Sequence, residues 1–153
     1  MNQFLKSEAD YAPLITRLTI AIVMWPHGAQ LLLGWFDGFG FEATMNYFTS
    51  TAGLPWVVGL MVILIQFFGA VFIATGTLTR FWALAMFIIG VGMIFSGHKE
   101  HGFFMNWFGN QQGEGYEFHL LLLGLCASLL ISGSGKWGVD RLILKGTRKL
   151  SSL

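Results

Sequence analysis

Four apolar runs stand apart from the polar connectors along this chain of 153 residues. They occupy residues 14–34, 55–76, 81–97 and 116–133, roughly 17–22 residues each. A helix needs about 20 apolar residues to cross a hydrocarbon core of roughly 30 Å. In lipid the backbone must satisfy its own hydrogen bonds, so runs of this length are expected as helices. The pattern predicts an all-α integral membrane protein, a four-helix bundle forming one domain over residues 1–153. The third and fourth helices should draw on flanking residues for full length. The final stretch, "WGVDRLILKGTRKL", alternates apolar and basic residues. An amphipathic tail over residues 136–153, held against anionic headgroups, is the expected reading, with docking of a partner protein as the alternative.

Composition supports the membrane assignment: 54% of the residues are hydrophobic and 11% charged, against about 25% charged in soluble domains. The formal net charge is +1, and no basic cluster with interleaved aromatics occurs outside the tail, so nucleic acid is not a partner class. The single cysteine, Cys126, excludes an internal disulfide or a CxxC redox pair. Lysine and arginine set the orientation. Lys6, Arg17, Arg80, Lys136, Arg141, Lys145, Arg148 and Lys149 fall on one side, and only Lys99 on the other. Both termini are therefore expected in the cytoplasm, with connectors 35–54 and 98–115 outside. The first run is not read as a cleaved signal: its flank is long and mixed in charge, and it carries Pro26-His27-Gly28 in place of a small-residue cleavage site.

Polar groups inside the runs carry the candidate chemistry. A central charge costs roughly 2.5–3.5 kcal/mol on insertion scales, so such groups usually face the bundle interior. His27 and Gln30 share a face of the first helix, and Pro26 should kink it beside them. His27 lies about 10 Å below the outer end of that helix. Gln66 sits near the middle of the second. All three are also explained by interhelical hydrogen bonding. In the fourth helix Glu117 shares a stripe with Gly124 and Ser128, a small-xxx-small spacing that suits a packing face. His119 lies roughly 200° around the helix from Glu117. Glu117 is thus expected to face the interior and His119 to turn away.

The segment "SGHKEHGFFMNWFGNQQGEGYEFH" gathers three of the four histidines. His98 and His101 share a face if the third helix continues past Gly97. A metal could be sought at His98, His101 and His119 with Glu100 or Glu117, and a haem between His27 and a histidine of the third or fourth helix. There is no HExxH and no cysteine pair, so neither is assigned. The outer connectors are dense in aromatics, with Trp35, Phe36, Phe39, Phe41, Tyr47 and Phe48 in one and Phe103, Phe104, Trp107, Phe108 and Tyr116 in the other. An interfacial belt would account for tryptophan and tyrosine. The phenylalanines suggest instead that both connectors fold down as two aromatic-rich outer loops, capping a half-apolar pocket. His27 would form its floor and Glu117 or His98 its wall.

The segments "RLTIAIVMWPHGAQLLLGWFDGFGFEATMNYFTSTAGLP", "GTLTRFWAL", "HKEHGFF", "GYEFHLLLL" and "GKWGVDRL" resemble the DoxX family of four-helix bacterial membrane proteins. The likeness spans roughly residues 14–144. It implies a multi-pass protein of the bacterial cytoplasmic (inner) membrane and a link to respiratory or sulfur-compound redox chemistry. The family is similar to the membrane subunit of thiosulfate:quinone oxidoreductase. Two positions depart from its pattern: Leu31 stands where a lysine is common, and Gln66 where an acidic residue is frequent.

Two functions follow as expectations. In the first, the chain is the membrane subunit of a quinone-linked oxidoreductase. His27 would bond a quinone carbonyl, and Glu117 and His98 would exchange protons with the outer face. Gln30, Gln66, Trp35, Phe104, Trp107 and Tyr116 would then hold the ring. Electrons would come from a protein partner or a reducing substrate, and a homo-oligomer is compatible with either. In the second, the chain is a non-catalytic anchor or organiser for a periplasmic redox or detoxifying enzyme. A transporter is set aside for want of an inverted repeat.

Overall fold

In the computed structural model, which describes residues 11–150, every regular element is helical, and no strand occurs among the described residues. Helix α1 spans Ala12–Leu33. The first connector contains a short helix, α2, Gly40–Asn46, which runs on into a wider turn, Tyr47–Thr51. Helix α3 covers Trp56–Thr75 and α4 covers Thr79–His101. After a long irregular loop come α5, Glu117–Ser132, and α6, Val139–Leu150. Lys6 and residues 151–153 lie outside the described residues, as do the side chains of Lys145, Arg148 and Lys149.

Helices α3 and α4 are long and apolar enough to cross a membrane. Helix α1 has the length but not the apolarity, because Arg17, His27 and Gln30 dilute it. Helix α5, with 16 residues, is apolar but short.

Helix α1 packs along the second half of α3 and against α5, while α4 packs most extensively on α5 and on the second half of α3. Ile20, Met24, Ile73, Met86, Leu122 and Leu129 form the centre of the core with Cys126. The two long connectors lie together at one end of the helices, here called the loop end. At the opposite turn end, Gly76 in a left-handed conformation closes α3 and Leu78, also left-handed, leads straight into α4.

The turn end is locked by a fully buried arginine. Arg17 is 1% exposed. Its guanidinium donates to the carbonyls of Ala74 at 2.6 Å and Lys136 at 3.0 Å, with a longer bond to Ile73. A cation there meets the unsatisfied carbonyls of the α3 C-terminus. Asp140 completes the lock: its carboxylate accepts from the Leu78 and Thr79 amides at 2.7 and 2.9 Å, and its own amide donates to the Gly76 carbonyl. The tail is thus tied to the α3–α4 turn as well as being amphipathic in sequence.

Candidate functional site

A cavity of about 590 Å³ lies among α1, α3, α4 and α5 on the side of the loop end. This is the size of a small-molecule pocket. Its walls are mostly apolar, with Met24, Leu31, Val62, Ile89 and Met93 among them, and His27, Gln30, Gln66, His98 and His119 supply polar atoms. Among the described residues no lysine or arginine lines it, and the one carboxylate on its rim belongs to exposed Glu114.

The local sequence explains how α1 and α3 build the floor. Helix α1 continues through Pro26, which has no amide to offer the carbonyl one turn earlier. His27 follows, with its ring 6.4 Å from that of Phe118. Gly28 is the point of closest approach: a Cβ there would meet backbone atoms of Gln66 and Phe67 at 2.5–2.6 Å. On the facing helix, Ile65–Gly69 form a wide π-type turn. Such single-turn expansions re-aim side chains and are frequent at functional positions. Gln66 lies within it and is buried in the cavity wall. Gln30 lines the cavity too, but its amide donates to the Phe36 carbonyl at 2.9 Å and so also holds the turn that leaves α1.

Helices α4 and α5 supply two adjacent histidines, their ring planes inclined at 44°. The rings of His98 and His119 are 4.2 Å apart between centroids. His98 Nδ1 is 2.9 Å from the Glu114 carbonyl. A carbonyl only accepts, so this nitrogen carries the proton and Nε2 is left as the second functional atom. His119 is buried, and its Nδ1 has no hydrogen-bond partner among the described residues. An unpaired buried polar atom costs about 1–3 kcal/mol, so a ligand atom able to pair with it would be stabilised there.

The structure reverses the expected roles of Glu117 and His119. Glu117 opens α5 and turns to the loop, where Oε1 accepts from the Met105 amide at 2.9 Å and the Trp107 indole at 3.3 Å. The buried stripe of α5 is His119, Leu122, Cys126 and Leu129, whereas Gly124 and Ser128 are exposed. The periodicity of that apolar stripe was the usable signal, and the small residues misdirected the reading.

Of the expected aromatic cap Phe48 lines the cavity, but Trp35, Phe104, Trp107 and Tyr116 do not. They pack locally instead. Trp35 lies edge-on to Trp25 and Tyr116 edge-on to Phe103, while Trp107 is 79% exposed. Phe48, Leu54 and Met105 take the expected place. His98 and His101 do not share a face, because α4 widens over Ile94–His98 and then tightens over Lys99–His101. His101 packs beside Gly113, away from the histidine pair. Among the described residues no three His, Cys, Asp or Glu side chains are grouped to hold a metal.

The DoxX family model matches residues 12–99, more than half of the chain. Comparison with curated proteins and with solved structures finds no match.

Proposed function

Because the chain belongs to the DoxX family of membrane proteins, we propose that it is the membrane subunit of a quinone-linked oxidoreductase and that quinone binds in the cavity between α1, α3, α4 and α5. The observation that carries this reading is the chemistry of the lining. It is an apolar slot that no lysine or arginine among the described residues lines, into which His27, Gln66 and His119 bring hydrogen-bonding groups, one of them with a buried ring nitrogen unpaired among the described residues. A neutral ring with carbonyl or hydroxyl groups fits such a lining. A sulfur oxyanion would find no lysine or arginine there to offset its desolvation.

In this proposal α1, α3, α4 and α5 all cross the bacterial inner membrane, and both termini are cytoplasmic. Helix α1 crosses despite its polar residues because Arg17 is bonded at the turn end and His27 faces the cavity. His27, Gln66 and His119 hold the ring by hydrogen bonds. Bound quinone supplies a two-electron, two-proton acceptor. His98, with Nδ1 anchored on the Glu114 carbonyl, takes up and gives back a proton at Nε2. The electrons come from a partner protein or a reducing substrate.

The test is direct. The protein purified in mild detergent should retain quinone, and His27→Ala should weaken quinone-analogue binding about tenfold, roughly 1.4 kcal/mol. Absence of both copurified quinone and analogue binding refutes the proposal.

A second reading, an organiser of an outer-face enzyme, draws on the loop after α4. Glu117 fixes the Met105 amide and the Trp107 indole, and beside them Trp107 and Phe108 stand 79% and 89% exposed. Exposed aromatics of this kind anchor partners. Under that reading Trp107→Ala abolishes capture of the partner enzyme and His27→Ala does not.

A further inference from the structure

The cavity is open on one side, and the packing of α3 against α4 shows where. At the turn end the two helices are in close contact. Phe72 and Trp82 stack with centroids 5.1 Å apart, and a Cβ on Gly69 would meet the Trp82 ring at 3.0 Å. Towards the loop end the first half of α3, Trp56–Leu64, packs on α1 and α2, and α4 leans on α5. The facing stripes in that half are Val58 and Val62 on α3, with Ile88 and Gly92 on α4, and all four line the cavity. Yet Ile88 is 60% exposed and Val58 44%. A Cβ on Gly92 would meet nothing within 4 Å, whereas one on Gly90, two residues away, would touch Leu123 at 3.2 Å. The wall is therefore missing on the Gly92 side.

We propose that this gap between α3 and α4 is a lateral doorway through which a ligand dissolved in the bilayer enters. Its polar ring travels inward to Gln66 and His119, and its hydrocarbon chain remains along Val58, Val62, Ile88 and Gly92. The doorway lies in the half of α3 and α4 that the proposed topology places in the outer leaflet. The occupant follows from the gradient of chemistry: Val58, Val62, Ile88 and Gly92 at the gap are apolar, Ser96 lies one turn beyond Gly92 towards the loops, and Gln66 and His119 lie inward. A molecule with a polar ring and an apolar tail matches both ends, and a water-borne ion matches neither. The assignment of that ring as a quinone rests on the function proposed above; the position of the doorway does not.

The experiment compares wild type with Gly92→Phe in nanodiscs, using decylubiquinone and a tailless dimethoxy-methylbenzoquinone as probes. The substitution enters open space, so the fold should persist. Binding of decylubiquinone should fall about tenfold, while the tailless quinone keeps its affinity within about twofold. Unchanged binding of both probes would overturn the doorway and leave the quinone proposal standing. A change of oligomeric state with binding intact would make the groove a helix-packing surface and overturn it equally. If wild type binds neither probe, the quinone proposal falls, and the doorway is judged by a nitroxide attached to Gly92→Cys in a Cys126→Ala background. Stronger relaxation by oxygen than by a water-soluble nickel chelate supports an opening to lipid, and the reverse order overturns it.

Discussion

At the scale of single residues, the strongest interactions are the ones that look least like chemistry in the sequence. Arg17 reads as one more positive charge, useful for orientation. In the fold it is buried and bonds carbonyls of α3 and of the segment before α6. Removing it would leave those carbonyls without their donor. Each buried carbonyl left unsatisfied costs about 1–3 kcal/mol. Arg17→Ala should therefore lower the thermal midpoint in mild detergent steeply, and Arg17→Lys should recover only part of it, because an ammonium lacks the fork that reaches both sites. A wild-type midpoint for Arg17→Ala would show that the bonds contribute little. His119 is the opposite case, a residue marked by what it lacks: its buried Nδ1 has no hydrogen-bond partner among the described residues, although the ring lies against His98 in a mostly apolar wall.

At the scale of elements, the contact of α1 with α3 hinges on Gly28. Any Cβ there runs into the backbone around Gln66 rather than into a side chain that could swing away. Gly28→Ala should destabilise the protein by about 1–3 kcal/mol, the usual range for overpacking. Gly92→Ala should be neutral, and thermal unfolding of the two variants side by side is the check. The helices themselves were legible in the sequence. The runs 55–76 and 116–133 match Trp56–Thr75 and Glu117–Ser132 within a residue, because glycine and proline bound them locally. The run 81–97 fell short of Thr79–His101, since the polar residues after Ser96 hid the continuation. Which way each helix faces was less legible. Glu117 and His119 are two positions apart, and only the neighbours decide which is turned inward. His27, Gln30, Gln66 and His98 were found as cavity residues because polar groups in apolar runs are conspicuous. Of the loop aromatics Phe48 does reach the cavity, whereas Trp35 turns to Trp25, Tyr116 to Phe103 and Trp107 to Glu117, contacts that the pattern of the sequence does not encode.

At the scale of the whole molecule, the two ends differ in kind. The turn end is closed by hydrogen bonds among distant segments, and the loop end holds the cavity. Asp140 joins the tail to the α3–α4 turn by capping two amides, and loss of such a cap costs about 0.5–2 kcal/mol. In Asp140→Ala the amides of Leu78 and Thr79 should exchange hydrogen faster while those around Gln66 do not. Exchange unchanged at the turn would mean that the tail is held by other contacts. The Arg17 lock also has a consequence for how the chain is made. Arg17 is synthesised 119 residues before Lys136, whose carbonyl it bonds. Ala74, its other close carbonyl partner, follows after 57 residues, so one of the two bonds can form well before the other. The place of α1 is therefore sealed only when the segment before α6 has been made.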